Sequence, residues 1–123
     1  MKKLNLLLLL QLSLATTMYA QQPGLPPEGF DAIRSGIQHG HLDTISYESR
    51  TVGTARKAVV YLPPGYSKQN KYPVLYLLHG IGGDEYEWLR NGNPERILDN
   101  LYADKKLTPM IVVLPNGRAE RRS

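Results

Sequence analysis

The sequence predicts an α/β fold. Two strand-like runs lie at residues 44–49 and 57–62, and a strand, loop, helix, strand pattern follows between residues 73 and 114. The loop after the third strand, His79-Gly80-Ile81-Gly82-Gly83, is rich in glycine. It stands at the carboxyl end of a strand, where open α/β sheets bind ligands.

The chain begins with Met1-Lys2-Lys3, an apolar run from Leu4 to Leu14, and a small-residue exit ending at Ala20. Positive head, apolar middle and small exit are the three parts of a secretory signal, and the run is short for a permanent anchor. Residues 1–20 are therefore read as a signal peptide cleaved after Ala20, with Ala15 as the second site and an uncleaved anchor as the other reading. The expected location is secreted or periplasmic. Residues 21–41 carry Pro23, Pro26, Pro27 and several glycines, a lead-in with little structure of its own. Phe30 to Arg34 could form one helical turn. Residues 42–123 form the predicted domain, and 123 residues leave room for only one.

Each element has its own reason. Thr44 to Ser49 alternates apolar and polar residues, as a half-buried strand does, and Lys57 to Leu62 is richer in β-branched residues. Val52-Gly53-Thr54 turns between them, and Pro63-Pro64-Gly65 stops the second strand. Pro73 to Leu78 is continuously apolar, which predicts a strand covered on both faces. A polar loop containing Trp88 comes next. Asn93-Pro94 opens a helix, Asn as the side-chain cap and Pro in the first turn. Ile97, Leu98, Leu101 and Tyr102 fall at helical spacing. Glu95 and Asp99 come early and Lys105 and Lys106 late, complementing the helix dipole. Met110 to Leu114 is the fourth strand, and Pro115-Asn116-Gly117 turns the chain.

Composition excludes several functions. There is no cysteine, so a disulfide scaffold, a thiolate metal site and a thiol nucleophile are out. The formal charge is +4, but Lys2 and Lys3 supply half of that excess, and Arg118, Arg121 and Arg122 crowd the end. No basic face with interleaved aromatics remains for nucleic acid. His39 and His41 could start a metal site, but no carboxylate cluster completes it, so a solvated loop is the expected reading. No cofactor is expected.

The glycine-rich loop admits three readings. A dinucleotide fingerprint needs Gly-x-Gly-x-x-Gly; Gly80 and Gly82 fit, but Glu85 holds the last place and would face the pyrophosphate. An oxyanion loop would use main-chain N–H groups to hold the charge of a tetrahedral intermediate. The third reading is a turn that merely connects strand and helix.

From Tyr61 onward the chain resembles the feruloyl esterase, or esterase-D-like, branch of the α/β-hydrolases. The residues that carry the likeness are Tyr61-Leu62-Pro63-Pro64-Gly65-Tyr66, Lys71 to Gly83, Trp88, the helix from Ile97 to Leu101, and Met110 to Gly117. The pattern is similar to the acetyl-xylan and feruloyl esterase domains of carbohydrate esterase family 1, and it spans roughly Leu42 to Ala119. The resemblance implies the N-terminal part of an α/β-hydrolase fold: two antiparallel leading strands, then a βαβ unit, with the fourth strand between the second and third. It also implies a Ser-His-Asp or Ser-His-Glu triad acting on carboxylic esters, such as feruloyl or acetyl esters on plant polysaccharide. Ile81 and Gly82 become the candidate oxyanion donors, and His79, Gly80 and Gly83 the residues that shape their loop. Trp88 matches an aromatic near the acyl pocket, with ordinary packing as the plain alternative.

The nucleophile of that family lies on a Gly-x-Ser-x-Gly elbow. None of Ser13, Ser35, Ser46, Ser49, Ser67 or Ser123 sits in that motif. Ser67 follows Gly65-Tyr66 in a hydrophilic turn and is read as a turn residue. His79 is expected to orient its loop by a hydrogen bond rather than move protons. The expectation is a truncated esterase: nucleophile, acid and base beyond residue 123, an incomplete sheet, and no activity from the chain alone. A non-catalytic carbohydrate- or partner-binding envelope protein is the alternative, and a peptidase or acyltransferase would need the same loop.

Overall fold

A computed structural model describes residues 24–119. The segment read as a signal peptide, residues 1–20, lies outside the described residues. Strand β1 (His41–Ser49) and strand β2 (Thr54–Leu62) form an antiparallel hairpin in register from His41 opposite Leu62 to Ser49 opposite Thr54. Gly53 closes the turn with φ of 70°, and its N–H donates to the Ser49 carbonyl at 2.7 Å. Both strands start earlier than their apolar patterns do. The hairpin ladder recruits His41, Leu42 and Asp43 on one side and Thr54, Ala55 and Arg56 on the other, whatever their side chains.

Strand β3 (Val74–Tyr76) leads through a short helix α1 (Glu87–Asn91) and helix α2 (Pro94–Ala103) to strand β4 (Ile111–Pro115). The sheet order is β1-β2-β4-β3. β4 pairs antiparallel with β2 and parallel with β3, so the last strand enters between the second and third. The core forms where the two central strands meet α2. Val59 and Tyr61 of β2, Val112 and Leu114 of β4, and Leu98 of α2 make one buried cluster, flanked by Leu77, Leu89, Tyr102 and Met110. Spacing by two along each strand sends these residues to a single face.

Four expectations are corrected. β3 is not covered on both faces: its residues are exposed, Tyr76 at 63%, and among the described residues only β4 pairs with it. A continuous apolar run reports what a strand can bury, not what lies beside it. The polar loop around Trp88 contains the five-residue helix α1. Asp84 launches it by accepting from the Tyr86 N–H at 2.9 Å, while its carbonyl takes the Glu87 N–H. Asn93 does not cap α2 with its side chain; it adopts a left-handed conformation at φ 44°, and its carbonyl accepts from Arg96 and Ile97. Lys105 and Lys106 fall beyond the last helical turn, because α2 ends at Ala103 with Asp104 as its C-cap. Asp104 pairs with Arg34 at 2.7 Å, and that contact pulls its carboxyl below the usual range.

The lead-in forms no helix or strand between residues 24 and 40 but is tied to α2. Asn100 Nδ2 donates to the carbonyls of Phe30 and Ala32, at 3.0 and 2.9 Å. Asp99, read above as a dipole residue, is buried. Its Oδ1 accepts from the Gly40 N–H at 2.8 Å and the Tyr61 hydroxyl at 2.6 Å. His39 lies in this loop with its side chain half exposed, and its Nδ1 is 2.8 Å from Asp99 Oδ2, so the solvent-facing residue also anchors the segment to α2.

Candidate active site

The glycine-rich segment leaves β3 at the carboxyl end of the sheet and folds back at once. The Gly83 N–H donates to the Gly80 carbonyl at 3.0 Å, closing a four-residue turn. Gly82 takes φ of +80° and Ile81 keeps a negative φ, which together define a type II turn. Only glycine holds that third position without strain. Gly83 answers a different need. A Cβ there would overlap Glu87 Oε2 and stand 3.1 Å from His79 Cβ.

Three side chains hold the turn from outside. Glu87 of α1 accepts the Gly80 N–H on Oε1 at 2.9 Å. Arg118 reaches back from beyond β4 and donates Nε to the Gly83 carbonyl at 2.7 Å and Nη2 to the Gly82 carbonyl. His79 bridges both loops: Nε2 accepts the Gly117 N–H at 2.9 Å, and Nδ1 sits 2.8 Å from the Gly80 carbonyl. A main-chain N–H can only donate, so Nε2 is the bare nitrogen and Nδ1 carries the proton. The Gly80 carbonyl therefore accepts from both His79 Nδ1 and Gly83 N. That carbonyl shares its peptide unit with the Ile81 N–H, so these bonds polarise Ile81 as a donor.

Among the described residues the Ile81 and Gly82 N–H groups have no hydrogen-bond partner. The Ile81 side chain is fully exposed. Trp88 is 41% exposed, and its Nε1 donates to the Leu78 carbonyl at 2.9 Å, fixing the indole beside the strand end. Further back, Asn116 Nδ2 donates to buried Glu85 at 2.8 Å, fastening the β4 turn to the base of the loop. Arg90 donates to Asp84 at 2.8 Å and holds its carboxyl below the ordinary value.

The structure thus gathers His79, Gly80, Ile81, Gly82, Gly83 and Trp88 at one end of the sheet, whereas His39 lies with α2 and the lead-in. Sequence reasoning missed Glu87, Asn116 and Arg118. Asn116-Gly117 was legible as a turn, but no local pattern says which loop that turn meets. A cavity of about 640 Å³, lined by Ile37, Pro64, Tyr102, Leu107 and Pro109 among others, contains no residue of the 79–83 loop. Among the described residues no group of three His, Cys, Asp or Glu could hold a metal.

Strand order and the turn at the end of β3 define a protein of the α/β-hydrolase class, and comparison with known proteins agrees. The family model for putative esterases matches residues 49–123, and the chain belongs to that family. It is 43% identical over 95 residues to an endo-1,4-beta-xylanase/feruloyl esterase of Xylanibacter ruminicola, covering 73% of this chain and 13% of that protein. A solved CE1 ferulic acid esterase from Anaeromyces mucronatus, in complex with ferulic acid, superposes with a TM-score of 0.72 at 33% identity, over 80% of this chain and 36% of that one. The feruloyl esterase module of Clostridium thermocellum, as a mutant with sinapinate, gives 0.69 at 28% identity, over 80% of this chain and 34% of the other. The chain spans about a third of these solved esterases and a far smaller share of the curated relative.

Proposed function

We propose that this chain supplies the oxyanion-binding part of a secreted serine esterase that hydrolyses feruloyl or acetyl esters on plant polysaccharide. One observation carries the reading: two main-chain N–H groups, on Ile81 and Gly82, stand unpartnered on a type II turn at the carboxyl end of β3. Attack on an ester carbonyl moves negative charge onto its oxygen. Donors already fixed around that position lower the barrier, and one such donor is worth about 3 kcal/mol. His79, through the Gly80 carbonyl, strengthens the Ile81 donor, and Trp88 offers an aromatic wall for the acyl group.

The ester class is taken from relatives named as feruloyl esterases, one of them solved with ferulic acid. Export rests on Lys2, Lys3 and the apolar run from Leu4 to Leu14. The 123 residues include no Gly-x-Ser-x-Gly, so the nucleophile elbow is not among them, and the chain by itself is inert.

The test has two arms. The purified 123-residue chain is assayed on p-nitrophenyl acetate and methyl ferulate; serine-dependent turnover above a denatured control overturns inertness. Amide NMR with methylphosphonate, a tetrahedral anion, should show saturable shifts at Ile81 and Gly82. Their absence overturns the oxyanion assignment.

A further inference from the structure

We infer that Arg118 is a positioning residue for the anion-binding turn, holding it by a two-carbonyl fork. The inference rests on the reading of Ile81 and Gly82 as anion donors. Arg118 Nε and Nη2 each take one of two successive carbonyls, Gly83 and Gly82. Both belong to glycines, the residues with the widest conformational range. With those oxygens held, the peptide planes that carry the Gly83 and Asp84 N–H groups are fixed; this pins the closing side of the turn, and only the Gly82 Cα separates it from the plane that carries the free Gly82 N–H.

Arg118 is itself aimed by fixed groups. Its N–H donates to Asn116 Oδ1 at 3.2 Å, and its carbonyl accepts from Arg56 Nη2 at 3.2 Å. Arg56 is buried on β2, and Asn116 is bound to buried Glu85. A path of hydrogen bonds thus runs from the sheet interior through Arg118 to the turn. On the opposite side Glu87 occupies the Gly80 N–H, which leaves Ile81 and Gly82 as the outward donors. The planar guanidinium matters here, since a lysine ammonium carries the same charge without a rigid fork.

The experiment compares the 123-residue chain with Arg118→Ala and Arg118→Lys by ¹⁵N amide NMR. Arg118 is exposed, so both variants should keep the Val59 and Val112 core resonances. In the parent chain the Gly83 N–H should be protected from exchange and methylphosphonate should shift Ile81 and Gly82. In both variants protection at Gly83 should fall, and the methylphosphonate Kd should rise about tenfold, the scale of one charge-assisted hydrogen bond. Arg118→Lys separates geometry from charge: parental affinity and protection in that variant would overturn the proposal. If the parent binds no methylphosphonate, the anion reading falls, while loss of Gly83 protection in both variants still upholds the fork. Unchanged protection in both overturns it.

Discussion

The Tyr61 hydroxyl donates to Asp99 Oδ1 at 2.6 Å across the interface between β2 and α2. Tyr61 is 2% exposed and Asp99 5%, so this bond lies in the middle of the fold. It joins the central strand, the main helix and, through Gly40 and His39, the lead-in. Tyr61→Phe removes one donor from a buried carboxylate and should cost about 1–3 kcal/mol, measurable by urea denaturation.

The same residue sets an alkaline limit. Burial, and then the bond to Asp99, raises the Tyr61 pKa above its ordinary value near 10. The unfolded chain releases that proton near pH 10 while the folded chain retains it. The contribution is whole below the unfolded value and is lost as pH rises beyond it. Denaturation followed between pH 9 and 11 should show stability falling more steeply for the parent than for Tyr61→Phe (about one proton's worth of slope).

Gly83→Ala and Gly82→Ala should disturb the turn by different routes. The second substitution meets only the strain of positive φ, roughly 1 kcal/mol. The first places a methyl group where Glu87 Oε2 stands, so the flexible carboxylate must move off the Gly80 N–H. Glu87→Ala should relieve most of the steric part. The double variant should then be less destabilised than the two single effects predict, a non-additivity readable from thermal melts.

β3 presents Val74, Leu75 and Tyr76 to solvent, Leu78 just beyond it is exposed too, and among the described residues no strand pairs its outer edge. Exposed apolar edges recruit other chains. Tyr76→Lys, at the most exposed of the three strand positions, should suppress concentration-dependent association in sedimentation or light scattering. Lys57→Gln on the paired central strand should not.

Much of this was legible because it is local. Alternation in β1, the β-branched run in β2, Pro94 at the start of α2 and the glycines after His79 each state a backbone preference within a few residues. The sheet order needed the family resemblance, since no local pattern says where β4 inserts. What stayed hidden is what sequence distance hides. Asp99 looks like an ordinary helix residue until Tyr61, 38 positions away, donates to it. Arg118 looks like the start of a basic tail until the β4 turn carries it 35 residues back to Gly83. Asn93 is ambiguous for another reason: asparagine serves as a side-chain cap and as a left-handed residue, and only the geometry decides.

His79 offers the sharpest test of how the two loops are joined, because its two nitrogens do different work. Nδ1 donates to the Gly80 carbonyl, and Nε2 accepts from Gly117. An asparagine amide can imitate the first nitrogen, and the longer glutamine can imitate the second. His79→Asn should keep protection at Gly83, where the turn closes, and lose it at Gly117. His79→Gln should do the reverse. His79→Ala should lose both, at about 1 kcal/mol for each bond. Amide exchange at Gly83 and Gly117 separates the three variants. Equal loss at both sites in every variant would mean that the ring acts by filling space between the loops and not by directing their main-chain groups.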